Sequence, residues 1–127
     1  MTKLNEIYKC SICGNVVQVI EAHAGTRVCC GEDMKLMEEK TAAQEGKEKH
    51  VPVVTVKGKN VTVKVGSVPH PMEQAHFIEF IQLLKNGKVV AEKQLSPGEK
   101  PEAVFCLDDT SGIKARELCN VHGLWTN

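Results

Sequence analysis

No run of apolar residues in this 127-residue sequence exceeds five, far short of the ~20 that cross a bilayer, so no membrane-spanning helix is expected. The segment MTKLNEIYKC has no apolar stretch of signal-peptide length, and the expected location is cytoplasmic. In a reducing cytosol the cysteines are not expected to pair as disulfides. Charge of either sign in excess is missing too: 16 Lys and Arg balance 16 Asp and Glu, which removes any general electrostatic reason to bind nucleic acid or an anionic membrane. Any function that depends on charge must be local. Internal repeats are absent, and 42% hydrophobic with 25% charged residues is the make-up of an ordinary globular protein. What stands out is six Cys and five His.

Residues 1 to 38 hold four of those cysteines: Cys10 and Cys13 in YKCSICGN, Cys29 and Cys30 in RVCCGEDM. A section below roughly 40 residues cannot build a sufficient apolar core and needs a metal, a disulfide or a partner chain to fold. Residues 39 to 49, containing EKTAAQEGKEK, carry no large apolar side chain and read as a polar linker. From 50 to 127, the β-branched runs VPVVTV and NVTVKV flank a Lys-Gly-Lys turn, and KVVAEKQL, AVFCLD and IKARELC follow with turn signals between them, the pattern of a β-sandwich or barrel. The segment PMEQAHFIEFIQLLKNG, residues 71 to 87, is ambiguous. Its Pro start, helical-period apolar residues and Gly stop favour a helix, whereas Asn86-Gly87 before a β-branched run is a hairpin signal and Phe77 to Leu84 suits a strand buried on both faces.

A C-x-x-C, a 15-residue spacer and an adjacent Cys pair suit a tetrahedral ion that takes sulfur ligands, and the spacing leaves zinc and iron equally open. Adjacent side chains diverge, so bringing Cys29 and Cys30 to one ion should twist the backbone and widen one sulfur–metal–sulfur angle. In the remainder, Cys119-x-x-His122 is a second chelating knuckle, His70 is flanked by Pro69 and Pro71 in what must be a loop if it shares an ion with His76, and His50 precedes the first strand. Any one of these histidines alone is more often a surface or core residue than a ligand; the set reverses that expectation. Four His and one Cys fit neither a closed zinc site nor an oxygen-liganded calcium or magnesium site, and they leave one octahedral position open on a transition metal. Cys106 is then expected as a small buried hydrophobe in its strand and His23 as a solvated side chain. Glu48 and Lys49 read blandly as the end of a charged linker, but beside His50 they supply a carboxylate for an open position and a cation that attracts an anion.

YKCSICGN, VCCGEDMK, EKHVPV, VGSVPHPMEQAHFI, the REL-Cys119-Asn120 sequence and HGLW together resemble the desulfoferrodoxin family, the two-iron superoxide reductases, over nearly the whole chain. The resemblance implies a mainly β protein: a small desulforedoxin-like metal-bound domain with a distorted four-cysteine iron, then an immunoglobulin-like seven-stranded β-sandwich in which residues 77 to 84 are a strand. It implies His50, His70, His76 and His122 as equatorial and Cys119 as axial ligands of a second iron, Glu48 and Lys49 as the functional pair, superoxide as substrate, a rubredoxin-like electron donor and a homodimer. Leu124 stands where a second His is common in the family, and the tail after Trp125 is short. Two rival classes follow from the residues alone. One is an iron electron-transfer protein without an open catalytic position, and the other is a zinc-stabilised interaction module.

Overall fold

The computed structural model describes residues 1–46 and 49–127, and the chain forms two compact units, Met1–Glu38 and Glu39–Asn127. In the first unit, β1 (Ile7–Lys9) lies between β2 (Val16–Gln18) and β5 (Lys35–Leu36), while β3 (Val28–Cys29) and β4 (Glu32–Asp33) form a separate two-stranded ladder. Its buried apolar cluster is Tyr8, Cys10 and Met34, with Val17, Val19 and Cys29 packed against it. So small a cluster offsets little of the entropy lost on ordering 38 residues, and two of its members are the cysteines themselves. The unit is organised around its sulfurs.

The second unit has seven strands: β6 (Pro52–Lys57), β7 (Asn60–Val65), β8 (Ile78–Lys85), β9 (Lys88–Gln94), β10 (Glu102–Cys106), β11 (Ile113–Cys119) and β12 (Gly123–Thr126). They form two antiparallel sheets, β10-β7-β6 and β12-β11-β8-β9. The alternating Val61, Val63 and Val65 of β7 all point into the core, where they meet Ile78, Ile81, Leu83, Leu95, Ala103 and Ala115. The ambiguous segment is a strand from Ile78 on. It lies between β11 and β9, both its faces are covered, and Phe80 through Leu83 are all buried, so its apolar run loses the alternation that marks half-buried strands. That continuity is what imitates a helix. Asn86 and Gly87 then turn the chain into β9 with φ of 52° and 76°, the left-handed pair a two-residue hairpin needs.

Two expectations change. Cys106 is exposed at the end of β10, because the outward positions of that strand fall on Glu102, Val104 and Cys106, whereas Ala103 points inward. His23 is solvated as expected and pairs with Glu21 at 2.9 Å. The segment expected as a linker is bound into the second unit over its first half. The Lys40 N–H donates to the Leu124 carbonyl at 2.8 Å, the Thr126 N–H donates to the Lys40 carbonyl at 2.9 Å, and Glu39 pairs with Arg116 at 3.1 Å. Backbone pairing needs no large apolar side chain, so a polar stretch joins a sheet without any composition signal.

Candidate metal centres

The four cysteines of the first unit meet. Cys10 directly follows β1, and Cys13 comes after it through a turn closed by the Gly14 N–H on the Cys10 carbonyl at 3.0 Å, with Gly14 at φ 80°. Cys29 ends β3, and Cys30 turns back with φ 53°, an uncommon angle for a residue with a side chain. This is the backbone twist that the adjacent pair was expected to need. All four sulfurs lie within 4.8 Å of one another. A tetrahedral ion with metal–sulfur bonds of about 2.3 Å requires sulfurs about 3.8 Å apart. Cys13 and Cys29 are at 3.6 Å, and Cys29 and Cys30 at 4.0 Å, so the ion fits and the angle at the adjacent pair opens. The N–H groups of Cys13 and Ile12 both point at Cys10 Sγ at 3.4 Å and lower its pKa to about 6. Hydrogen bonds with Cys13 and Cys10 push Cys29 up to about 12. The backbone thus favours the Cys10 thiolate, while the thiols of Cys29 and Cys30 are pushed up, a cost that a cation bound by the cluster would offset.

The second centre draws on three stretches of the second unit. His50 leads into β6, His70 and His76 lie between β7 and β8, and Cys119 and His122 flank the turn between β11 and β12. The ligand atoms of His50, His76, Cys119 and His122 lie within 4.8 Å of one another. His70 completes a closed ring of imidazoles. Centroids are 4.7 Å apart for His50 and His70, 4.9 Å for His70 and His76, 5.1 Å for His76 and His122, and 4.8 Å for His122 and His50, each pair edge to face. Four imidazoles around one ion, with metal–nitrogen distances of about 2.1 Å, put neighbouring ring centres about 4.5 Å apart, so the ring spacing fits, while the set whose ligand atoms lie within 4.8 Å of one another does not include His70. His70 Nδ1 lies 2.7 Å from the Pro71 carbonyl, which can only accept; Nδ1 therefore carries the proton and Nε2 the lone pair. Cys119 is buried in the core cluster and accepts the His122 N–H at 3.4 Å, while His122 is exposed. The site thus runs from a thiolate in the core to an imidazole at the surface.

Of the two charged residues expected at this centre, Glu48 lies outside the described residues. Lys49 is half-buried, and its ammonium donates to the Gly46 carbonyl at 3.3 Å.

Four further residues were not legible as parts of the site. The Trp125 indole stacks on His50 at 4.8 Å and 11°, and its N–H donates to the His122 carbonyl at 3.2 Å. Lys40 donates to that same carbonyl at 2.9 Å. Asn120 accepts the Phe77 N–H at 2.9 Å and donates to the Ala75 carbonyl at 3.0 Å, which fastens the His76 segment to the turn carrying Cys119 and His122. Glu45 Oε2 accepts the N–H groups of His50 at 2.7 Å and Val51 at 2.9 Å. Burial raises the Glu45 pKa, but those two N–H groups and the Lys49 charge outweigh it, and the group is held below the usual carboxylate range. Sequence signals that could have found these residues are weak, since all four act on backbone groups.

The chain matches the desulfoferrodoxin family over residues 42–127 and the desulfoferrodoxin N-terminal domain over residues 2–37. It is 53% identical over 125 residues to a desulfoferrodoxin homolog of Archaeoglobus fulgidus, covering 98% of each chain. With a desulfoferrodoxin of Syntrophotalea carbinolica it shares 51% over 127 residues, 100% of this chain and 98% of the other. Its structure is similar to the superoxide reductase from Treponema pallidum, with a TM-score of 0.75, 32% identity and 96% of each chain covered.

Proposed function

This chain belongs to the desulfoferrodoxin family, and from that membership and the geometry of the second centre we propose that it is a superoxide reductase, adding one electron and two protons to superoxide to give hydrogen peroxide. The observation that carries this reading is the ring of four imidazoles with a buried thiolate on its core side. Iron held there by these five side chains would supply the electron. The chain's own residues do the rest. The buried Cys119 sulfur would be the one thiolate among the ligands, an electron-rich donor that would tune the iron it holds. The His70 ring is fixed in its ligating tautomer by the Pro71 carbonyl.

Lys49 supplies the local positive potential that a protein of zero net charge otherwise lacks, drawing in the superoxide anion and ordering water for protonation. Glu48, adjacent to Lys49 in the sequence, would supply a carboxylate ligand to the iron after product leaves. The ligand set is His50, His70, His76, Cys119 and His122, with Cys10, Cys13, Cys29 and Cys30 holding the first iron. A rubredoxin-like protein as electron donor, a homodimeric state and a cytoplasmic location, where thiols stay reduced, complete the proposal.

The test is a rapid-mixing measurement of superoxide loss with the iron-loaded chain. Cys119→Ser is expected to abolish activity and the sulfur-to-iron absorption of the second centre while the four-cysteine centre keeps its spectrum, because the two sets share no residue. Retained activity in Cys119→Ser refutes the assignment. Failure of azide or cyanide to alter the spectrum of the second iron would favour an electron-transfer protein with no open position.

A further inference from the structure

The backbone from Lys49 to Val51 brings the first histidine to the second centre, yet it precedes β6, which opens on Pro52, a residue without an N–H to donate. Something other than the sheet ladder has to hold it. On one side, a single oxygen of Glu45 receives both the His50 and the Val51 N–H, at 2.7 and 2.9 Å, closing the chain back on itself over five and six residues. On the other side lies Gly66, just past β7, with φ 82°. Its N–H donates to the Val51 carbonyl at 3.1 Å. A Cβ there would meet the Lys49 carbonyl oxygen at 2.5 Å and the Val68 carbonyl oxygen at 2.7 Å, both backbone atoms that no side-chain motion relieves. Gly66 therefore sits where the segment carrying Lys49 and His50 crosses the segment leading to His70.

We propose that Glu45 and Gly66 are positioning residues for superoxide reduction, gripping the Lys49–Val51 backbone from two sides so that the Lys49 charge and the His50 ring are held where the reaction uses them. This rests on the superoxide reductase reading. Charge alone argues for the opposite effect of Glu45, since a carboxylate beside the site repels an anion and its removal should speed encounter. The two accounts therefore differ in sign.

The experiment compares the iron-loaded wild type with Glu45→Ala, Glu45→Gln, Gly66→Ala and Lys49→Ala. Two quantities are read: the second-order rate constant with superoxide at low and high salt, and amide hydrogen exchange over residues 45–51. Glu45→Ala is expected to keep its iron absorption, to lose about tenfold in rate with a flattened salt dependence that approaches Lys49→Ala, and to exchange its His50 and Val51 amides at least about tenfold faster. Glu45→Gln retains an oxygen that accepts both N–H groups, and both its rate and its exchange should stay within about twofold of wild type. Gly66→Ala should follow Glu45→Ala, and because it carries the greater risk of misfolding the Glu45 pair decides the matter. Equal acceleration in both Glu45 variants, or wild-type rate, salt dependence and exchange in Glu45→Ala, overturns the inference while leaving the activity standing. Wild type that fails to consume superoxide overturns the activity itself, and the positioning role with it.

Discussion

Trp125 is 3% exposed, lies flat on the His50 ring and donates its indole N–H to the carbonyl of His122, so one side chain touches two members of the second centre. Trp125→Phe preserves the stacked face and removes the donor. The hydrogen bond is worth about 1 kcal/mol, and the lost ring area of roughly 40 Å² at about 25 cal/mol per Å² adds another ~1 kcal/mol. Trp125→Ala removes the face as well and should cost about 3–5 kcal/mol. For a domain of this size each kcal/mol moves the melting temperature by about 4–8 °C. Lys40 donates to the same carbonyl, with its ammonium 5.4 Å from the indole centre, so either donor alone keeps that oxygen satisfied. Lys40→Met should therefore cost only about 0.5 kcal/mol, whereas the double variant with Trp125→Phe should lose about 1 kcal/mol more than the sum of the two single losses. Thermal unfolding of the four proteins gives the coupling, and competition with a chelator gives iron affinity, which should fall by about 10–100-fold in Trp125→Ala and little in Trp125→Phe. Additive losses, together with unchanged iron affinity in Trp125→Ala, would refute the claim that the indole organises the centre.

Cys13→Ser should lose the first metal and unfold residues 1–38, read as lost amide protection there, while the second unit retains its iron spectrum and still reduces superoxide when given electrons. Loss of the second iron in that variant would contradict the independence of the two ligand sets. Gly87→Val, which forces a β-branched residue to φ 76°, should destabilise the β8–β9 hairpin by at least ~1 kcal/mol in chemical denaturation. Glu117 is fully buried with neither carboxylate oxygen hydrogen-bonded among the described residues, so Glu117→Met, of similar size, should raise the melting temperature by several degrees, equivalent to about 1–3 kcal/mol; a lower value would reveal a partner for that carboxyl.

The sulfur and nitrogen donors that the fold brings together were legible because cysteine and histidine are rare, chemically distinct and arranged in chelating pairs such as Cys10 with Cys13 and Cys119 with His122. The strands of the second unit were legible where one face is wet, as in β7, and ambiguous where neither is, as in β8. What composition could not reveal is the support. Lys40 reaches a carbonyl 82 residues away, Asn120 joins two loops 45 residues apart, and Glu45 replaces a ladder that Pro52 interrupts. Each acts on a backbone group, and every residue in a sequence offers the same backbone. Only the folded path determines which of them lie within reach.

The order of the ligands along the chain also separates the two centres in time. All four sulfurs of the first exist once residue 30 has been added, whereas the ring of the second lacks a member until His122 is made. At roughly 5–20 residues per second, synthesis of the intervening stretch takes about 5–20 s. A nascent chain can thus offer a complete set of soft thiolates to the cell's metal pool while its imidazole ring is still in pieces. The two donor sets are therefore completed at different moments of synthesis.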